Sequence, residues 1–271
     1  MSEGAEDGRV VLAQAVAAYR EVLSERLVAA YALGSLAHGG FNALVSDVDL
    51  GLILTDPIRP SDPATLAAVV DQLKGQGGLH ERLSVFWGTA ASLQSNHAGG
   101  RFPALDRLDL IDNGRLLYGS DARHDLLRPS ADELVVGGAE FALDRLGSDE
   151  VVEEIRRPEL LLGRGVRGLT KLVLFPVRFL FTAATGEVGT NAASVAYYLA
   201  ADDRVGTALV AAGLAWRSAP PDDEGAALAL LRSELVPLYL HYLDDHTGRL
   251  ARLGRADLAE AFQAWRGRLL A

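Results

Sequence analysis

The chain has 271 residues, of which 26 are basic and 36 acidic, for a formal net charge of −10 at pH 7. That length fits one large or two ordinary domains, and a composition 49% hydrophobic and 23% charged excludes general disorder. There is no cysteine, so disulfides, thiolate zinc sites and cysteine nucleophiles are excluded. The acidic balance argues against a binder of phosphate backbones, which needs a basic face, and is compatible with a cationic substrate.

In chain order, Met1–Gly8 is acidic and polar and reads as a flexible start. It lacks the basic-then-apolar pattern of a secretory leader, so the expected location is the cytoplasm. Leu12, Ala15, Val16, Tyr19, Leu23 and Leu27 recur at helical spacing and predict a helix over Arg9–Leu27. Val28–Leu33 is a short apolar run that reads as a buried strand, followed by a turn or short helix through Gly34–Gly40. Asp47–Leu54 alternates and predicts a second strand. Thr55–Pro63, with three prolines, is a loop. Ala64–Lys74 predicts a helix and Leu83–Trp87 a third strand. Gly88–Pro103 reads as a surface loop with some helix, and Leu105–Tyr118 as a short helix and an edge strand.

After Pro129 the pattern is helical, with no clear strand. Ser130 is a capping residue with Glu133 at the capping-box position. Further helices are expected at Asp149–Arg156, Gly165–Ala184, Asn191–Ala200, Val205–Ala215, Asp223–Asp245 and Arg255–Leu270. The most apolar stretch, Leu169–Thr185, is interrupted by Lys171, Pro176 and Arg178, which predicts a buried helix and not a membrane span. The expected class is α+β: a small mixed-sheet domain over 1–128, then an all-helical domain over 129–271.

One segment carries chemistry: Leu33–Leu54, LGSLAHGGFNALVSDVDLGLIL. Residues two apart on a strand share a face and lie about 6.6 Å apart. Asp47 and Asp49 so placed repel each other unless a cation sits between them, and such a pair suits Mg²⁺, which also binds substrate phosphates. Gly34 allows close backbone approach, and the Ser35 hydroxyl with nearby amides can meet phosphate oxygens. A phosphate grip beside paired carboxylates is equipment for phosphoryl or nucleotidyl transfer. Elsewhere the signals are weaker. His241 and His246 are five apart and make no one-face metal pair; no H-E-x-x-H occurs. No G-x-S-x-G surrounds Ser35, Ser46 or Ser84. Arg101, Arg107 and Arg115 are candidate phosphate clamps or ordinary surface cations. Trp87 either stacks on a base or packs in the core.

Gly-Ser, a Gly-Gly-Phe turn and Ser-Asp-x-Asp-Leu on a strand resemble the nucleotidyltransferase superfamily of the DNA polymerase beta type. Lys171–Ala200 is similar in layout to the helical domain of aminoglycoside adenylyltransferases. The resemblance implies that Gly34 and Ser35 grip a triphosphate and that Asp47 and Asp49 hold Mg²⁺; His38, by its place in the same loop, either meets a phosphate or fills the loop, and Ser46 is a further nucleotide-binding candidate. The family adds a third carboxylate on a later strand; here Ser84 stands at that position. Asp109 and Glu81 are the first candidates to replace it, with Asp112, Glu140 and Glu187 behind them. The implied reaction is Mg²⁺-dependent transfer of a nucleoside monophosphate, AMP from ATP first, to a hydroxyl of a small molecule such as an aminoglycoside, with release of pyrophosphate. The nucleotide is expected between the domains. Neither nucleic acid nor membrane is an expected partner, and the oligomeric state stays open. Two alternatives stand beside this one: transfer of AMP to a protein hydroxyl, as in the minimal nucleotidyltransferases of toxin–antitoxin pairs, and a nucleotide-binding pseudoenzyme, motivated by Ser84.

Overall fold

A computed structural model describes residues 3–94 and 99–271. The chain divides into two units, Met1–Pro129 and Ser130–Ala271. The first is α1 (Glu3–Leu23), β1 (Leu27–Leu33), α2 (Gly34–His38), β2 (Val48–Leu54), α3 (Asp62–Lys74), β3 (Leu83–Thr89), α4 (Ala90–Gln94), α5 (Ala104–Asn113) and β4 (Arg115–Gly119). The strands form one mixed sheet in the order β3-β2-β1-β4. β2 pairs antiparallel with β1 and parallel with β3, and β4 pairs antiparallel with β1 at the edge.

The period-2 rule sorts β2 cleanly. Val48, Leu50, Leu52 and Leu54 face one side, where they pack with Val11, Leu12, Ala15 and Tyr19 of α1 and with Leu66, Val69 and Leu73 of α3. Ile53 faces the other side with Ala29, Tyr31 and Leu33 of β1, Leu93 of α4 and Leu110 of α5. Asp49 shares the parity of Ile53 and therefore the α5 side of the sheet. Leu50 and Leu52 are fully buried, and truncating either to Ala costs about 2–5 kcal/mol at such sites. The Tyr31 hydroxyl donates to Asp121 and accepts the Ala122 amide at 2.7 Å. It thereby ties β1 to the segment after β4; burial pushes the phenol up to about 12.

The first helix begins at Glu3, so the expectation of a flexible start through Gly8 is corrected for its described residues. Glycine disfavours a helix by about 1 kcal/mol each. Here, however, Gly4 and Gly8 lie against the segment after β1. A Cβ on Gly4 would come within 2.8 Å of the Ala43 Cβ, and one on Gly8 within 3.0 Å of Phe41. Tertiary contact favours the helix and uses the missing side chains. The helix also ends earlier than Leu27, in a 3-10 turn over Ser24–Arg26.

The second unit is α6 (Ala131–Leu146), α7 (Asp149–Arg156), α8 (Glu159–Leu162), α9 (Gly165–Thr185), α10 (Asn191–Leu199), α11 (Thr207–Trp216), α12 (Glu224–Arg252) and α13 (Ala256–Leu270). No strand occurs among its described residues. The mixed sheet followed by helices is the α+β class expected. The capping box forms as its residues require: Ser130 Oγ accepts the Glu133 amide, and Glu133 Oε2 accepts the Ser130 amide at 2.9 Å. α9 is long and apolar enough to cross a membrane, and 61% of its apolar window is buried within the protein. α12 runs past Asp245 to Arg252, and in its last turns Arg249 bonds the Asp245 carboxylate at 2.7 Å and the Ala183 carbonyl at 2.8 Å. Tyr239, Tyr242, Phe262 and Trp265 are fully buried and meet at tilted and edge-on angles, the geometry that aromatic quadrupoles favour.

Candidate active site

The C-terminal end of β1 and the N-terminal ends of β2 and β3 meet at one edge of the first unit, since β1 is antiparallel to β2 and β3 is parallel to it. The register places Asp49 between Leu33 and Ser84. Asp49 is the second residue of β2; Asp47 precedes the strand by one residue, and both are half-buried. Ser84 has the parity of Phe86, which packs on the α5 side, so its side chain lies on the same face as Asp49, one strand over.

Gly34 opens α2 with φ of +58°, a conformation glycine adopts without the penalty a side chain would bring. An added Cβ there would lie 2.2 Å from Asp49 Oδ2. The absence of a side chain at Gly34 is thus what lets the turn close over the Asp49 carboxylate. Ser35 follows in α2, half-buried.

Asp109 reaches this turn from α5. Its Oδ2 accepts the Gly34 amide at 2.7 Å; its Oδ1 lies 2.5 Å from His38 Nε2 and accepts Asn113 Nδ2 at 3.0 Å. It is 7% exposed. The rest of the connection to β2 is pinned as firmly. Arg115 of β4 donates from Nε to the Ala37 carbonyl at 2.7 Å, and Arg82 donates to the Ala43 carbonyl at 2.6 Å. Ser46, buried, accepts the Asn42 amide on Oγ, and its own amide bonds the Asn42 carbonyl. This turn delivers the chain to Asp47.

The structure therefore brings Gly34, His38, Asp49, Ser84 and Asp109 together at one sheet end, with Ser46 shaping the approach to Asp47. Glu81 lies at the same end but is exposed, in the 3-10 turn Gly78–Arg82 before β3. Asp112 is exposed and bonded to Arg128. Glu140 and Glu187 belong to the second unit; both are exposed, and Glu140 pairs with Arg255. Trp87 is buried in the core on the α1 side of the sheet, which is the packing reading of that residue. Arg82 and Asn113 were not legible as participants. For Asn113 a signal existed, the i, i+4 spacing from Asp109 on one helix; for Arg82 there was none.

Among the described residues, no group of three or more His, Cys, Asp or Glu side chains converges to hold a metal. Beside the exposed Glu81 and the already engaged Asp109, the donors at this edge are the carboxylates Asp47 and Asp49 and the Ser84 hydroxyl. That set suits Mg²⁺, a hard ion commonly held by one or two carboxylates and completed by phosphates and water.

No protein-family model and no curated protein matches the sequence. A likeness exists at the level of structure. The chain is similar to spectinomycin adenyltransferase AAD(9) from Enterococcus faecialis, determined with ATP and spectinomycin, with a TM-score of 0.55 and 11% identity. The similarity covers 97% of this chain and 99% of that one. At such identity what the two share is the fold, a mixed-sheet unit followed by helices.

Proposed function

We propose that the chain is a nucleotidyltransferase that moves AMP from ATP to a hydroxyl of a small molecule and releases pyrophosphate. One observation carries the reading: Gly34 of the Gly-Ser turn closes onto the Asp49 carboxylate, in a chain whose fold follows an adenyltransferase along almost its whole length. A tight turn packed on a carboxylate would set phosphate contacts beside a metal ligand. Asp47 and Asp49 would hold Mg²⁺, which when bound neutralises phosphate charge and stabilises the attacking and leaving oxygens. Ser35 Oγ would donate to a phosphate oxygen, and His38, oriented by Asp109, would stand beside it. Ser84, a poor base, would leave the acceptor hydroxyl to be deprotonated by another group or by bulk water.

The neighbour's acceptor, spectinomycin, makes amine-bearing aminoglycosides and related compounds the first acceptors to test, and a net charge of −10 is in keeping with a cationic acceptor. A second reading rests on Ser84 beside Asp49: nucleotide binding without turnover. One experiment separates the two. The protein is incubated with each NTP, Mg²⁺ and an acceptor panel, and pyrophosphate is measured. Release that depends on a small acceptor and disappears in Asp49→Asn supports transfer. Release without a small acceptor but with labelled protein redirects the reading to a protein hydroxyl. Binding of NTP with no release under any acceptor favours the pseudoenzyme. Turnover that survives Asp49→Asn sinks the proposed site.

A further inference from the structure

We propose that Asp109 is a positioning residue, which clamps the Gly-Ser turn onto Asp49 and orients His38. The inference rests on the nucleotidyl-transfer reading above and assigns a task within that site. Three donors converge on this one carboxylate, the Gly34 amide, His38 Nε2 and Asn113 Nδ2, and both of its oxygens are engaged. A carboxylate in that condition has little left to offer a metal ion or a reacting hydroxyl. What it does is hold. α2 has no local side-chain cap, since Leu33 precedes it, and Asp109 supplies the missing acceptor from 75 residues away. The bond fixes the amide of a residue whose φ is +58°, and the Cα of that residue rests against Asp49 Oδ2. Asp109 therefore acts on Asp49 through Gly34, and on the phosphate side of the turn through His38. Its burial keeps water from competing for these bonds.

The geometry demands both the charge and its place. Asp109→Asn keeps the shape and discards the charge; Asp109→Glu keeps the charge and moves it outward by one methylene. Both are expected to weaken binding of Mn²⁺·ATP, read from free Mn²⁺ by electron paramagnetic resonance, by about 10- to 100-fold, the range of a lost charge-assisted hydrogen bond. Both are expected to lower kcat while leaving the acceptor KM unchanged. In the wild type, a slowly exchanging His38 imidazole N–H signal should appear in the proton spectrum and vanish in Asp109→Asn. Wild-type Mn²⁺·ATP affinity in Asp109→Asn overturns the proposal, and so does full rescue by Asp109→Glu, because charge alone would then suffice. If Asp109→Asn does not fold, Asn113→Ala removes one donor from the same carboxylate and is expected to weaken Mn²⁺·ATP by about 3-fold; unchanged affinity overturns the proposal equally. A wild-type chain that binds no Mn²⁺·ATP defeats the nucleotidyl-transfer reading itself, and that failure is recognised before any substitution is made.

Discussion

Replacing Gly34 by alanine is the sharpest perturbation available at this site, because two separate penalties follow from one methyl group. The first is conformational. At φ of +58° a residue with a Cβ costs about 1–2 kcal/mol more than glycine. In a unit of this size that corresponds to a fall in Tm of roughly 3–10 °C. The second is steric and directional. The new Cβ would stand 2.2 Å from Asp49 Oδ2, where ordinary contacts begin near 3.4 Å. Either the carboxylate or the turn must retreat by about 1 Å, and a displacement of that size in a reacting array costs about 100-fold in rate. Gly39→Ala separates the two effects. Gly39 has φ of +82°, and nothing lies within 4 Å of its added Cβ. It should lose stability to a similar degree yet retain turnover. The assay is pyrophosphate release under saturating ATP and acceptor, paired with thermal unfolding of both variants. If Gly34→Ala turns over like the wild type, or Gly39→Ala is equally impaired, the argument that Gly34 sets Asp49 is refuted.

Asp49→Asn should abolish acceptor-dependent pyrophosphate release while changing Tm little, since asparagine keeps the size and shape of this half-buried side chain and removes only its charge; retained release would contradict this. Ser130→Ala removes the capping residue of α6 and one arm of its capping box. It should destabilise the helical unit by about 1 kcal/mol, measured by denaturant unfolding, and leave nucleotide binding untouched. Stability should also fall with acid. Burial holds the His246 imidazole below its ordinary value against the opposing pull of Asp245, with Arg249 adding to the depression; burial and Arg204 hold His241 down in the same way. The unfolded chain therefore takes up these protons first, and stability is lost as the pH drops below about 6.5. Asp245 lies well below the ordinary carboxylate range: burial raises it, and His246 and Arg249 outweigh that. It adds a second loss as the pH drops below about 4. Melting temperatures of wild type and His246→Gln between pH 8 and 5 should show a flatter slope in the variant; parallel slopes would show that His246 does not carry the effect.

The parts of the site that were legible in the sequence lie close together in the chain. Gly34, Ser35, Asp47 and Asp49 fall within two strand ends and the turn between them, so a motif can display them. Asp109 was legible only as one of several scattered acids. Nothing in LDLIDNG distinguishes it from Asp112 three residues on, yet one is 7% exposed beneath the Gly34 amide and the other is exposed and bonded to Arg128. The difference is the rotation of α5 on the sheet. Glu81, equally reasonable by its place before β3, is exposed in the 3-10 turn at the same end of the sheet. The flexible start is corrected for a like reason: an acidic, polar composition is local, while the contact of Gly4 and Gly8 with the segment after β1 is not.

Sequence alone was enough for the fold class, because alternation, helical period, prolines and caps are written over a few neighbouring residues. It was also enough for the pair Asp47 and Asp49 and for the serine at position 84, since identity is all those statements require. Tertiary structure alone decided that Asp49 lies between Leu33 and Ser84, on the face covered by α5. It alone decided that a carboxylate 75 residues from Gly34 completes the turn. Register and helix rotation come from the burial of both sheet faces at once, a balance taken over the whole unit and visible in no single stretch of it.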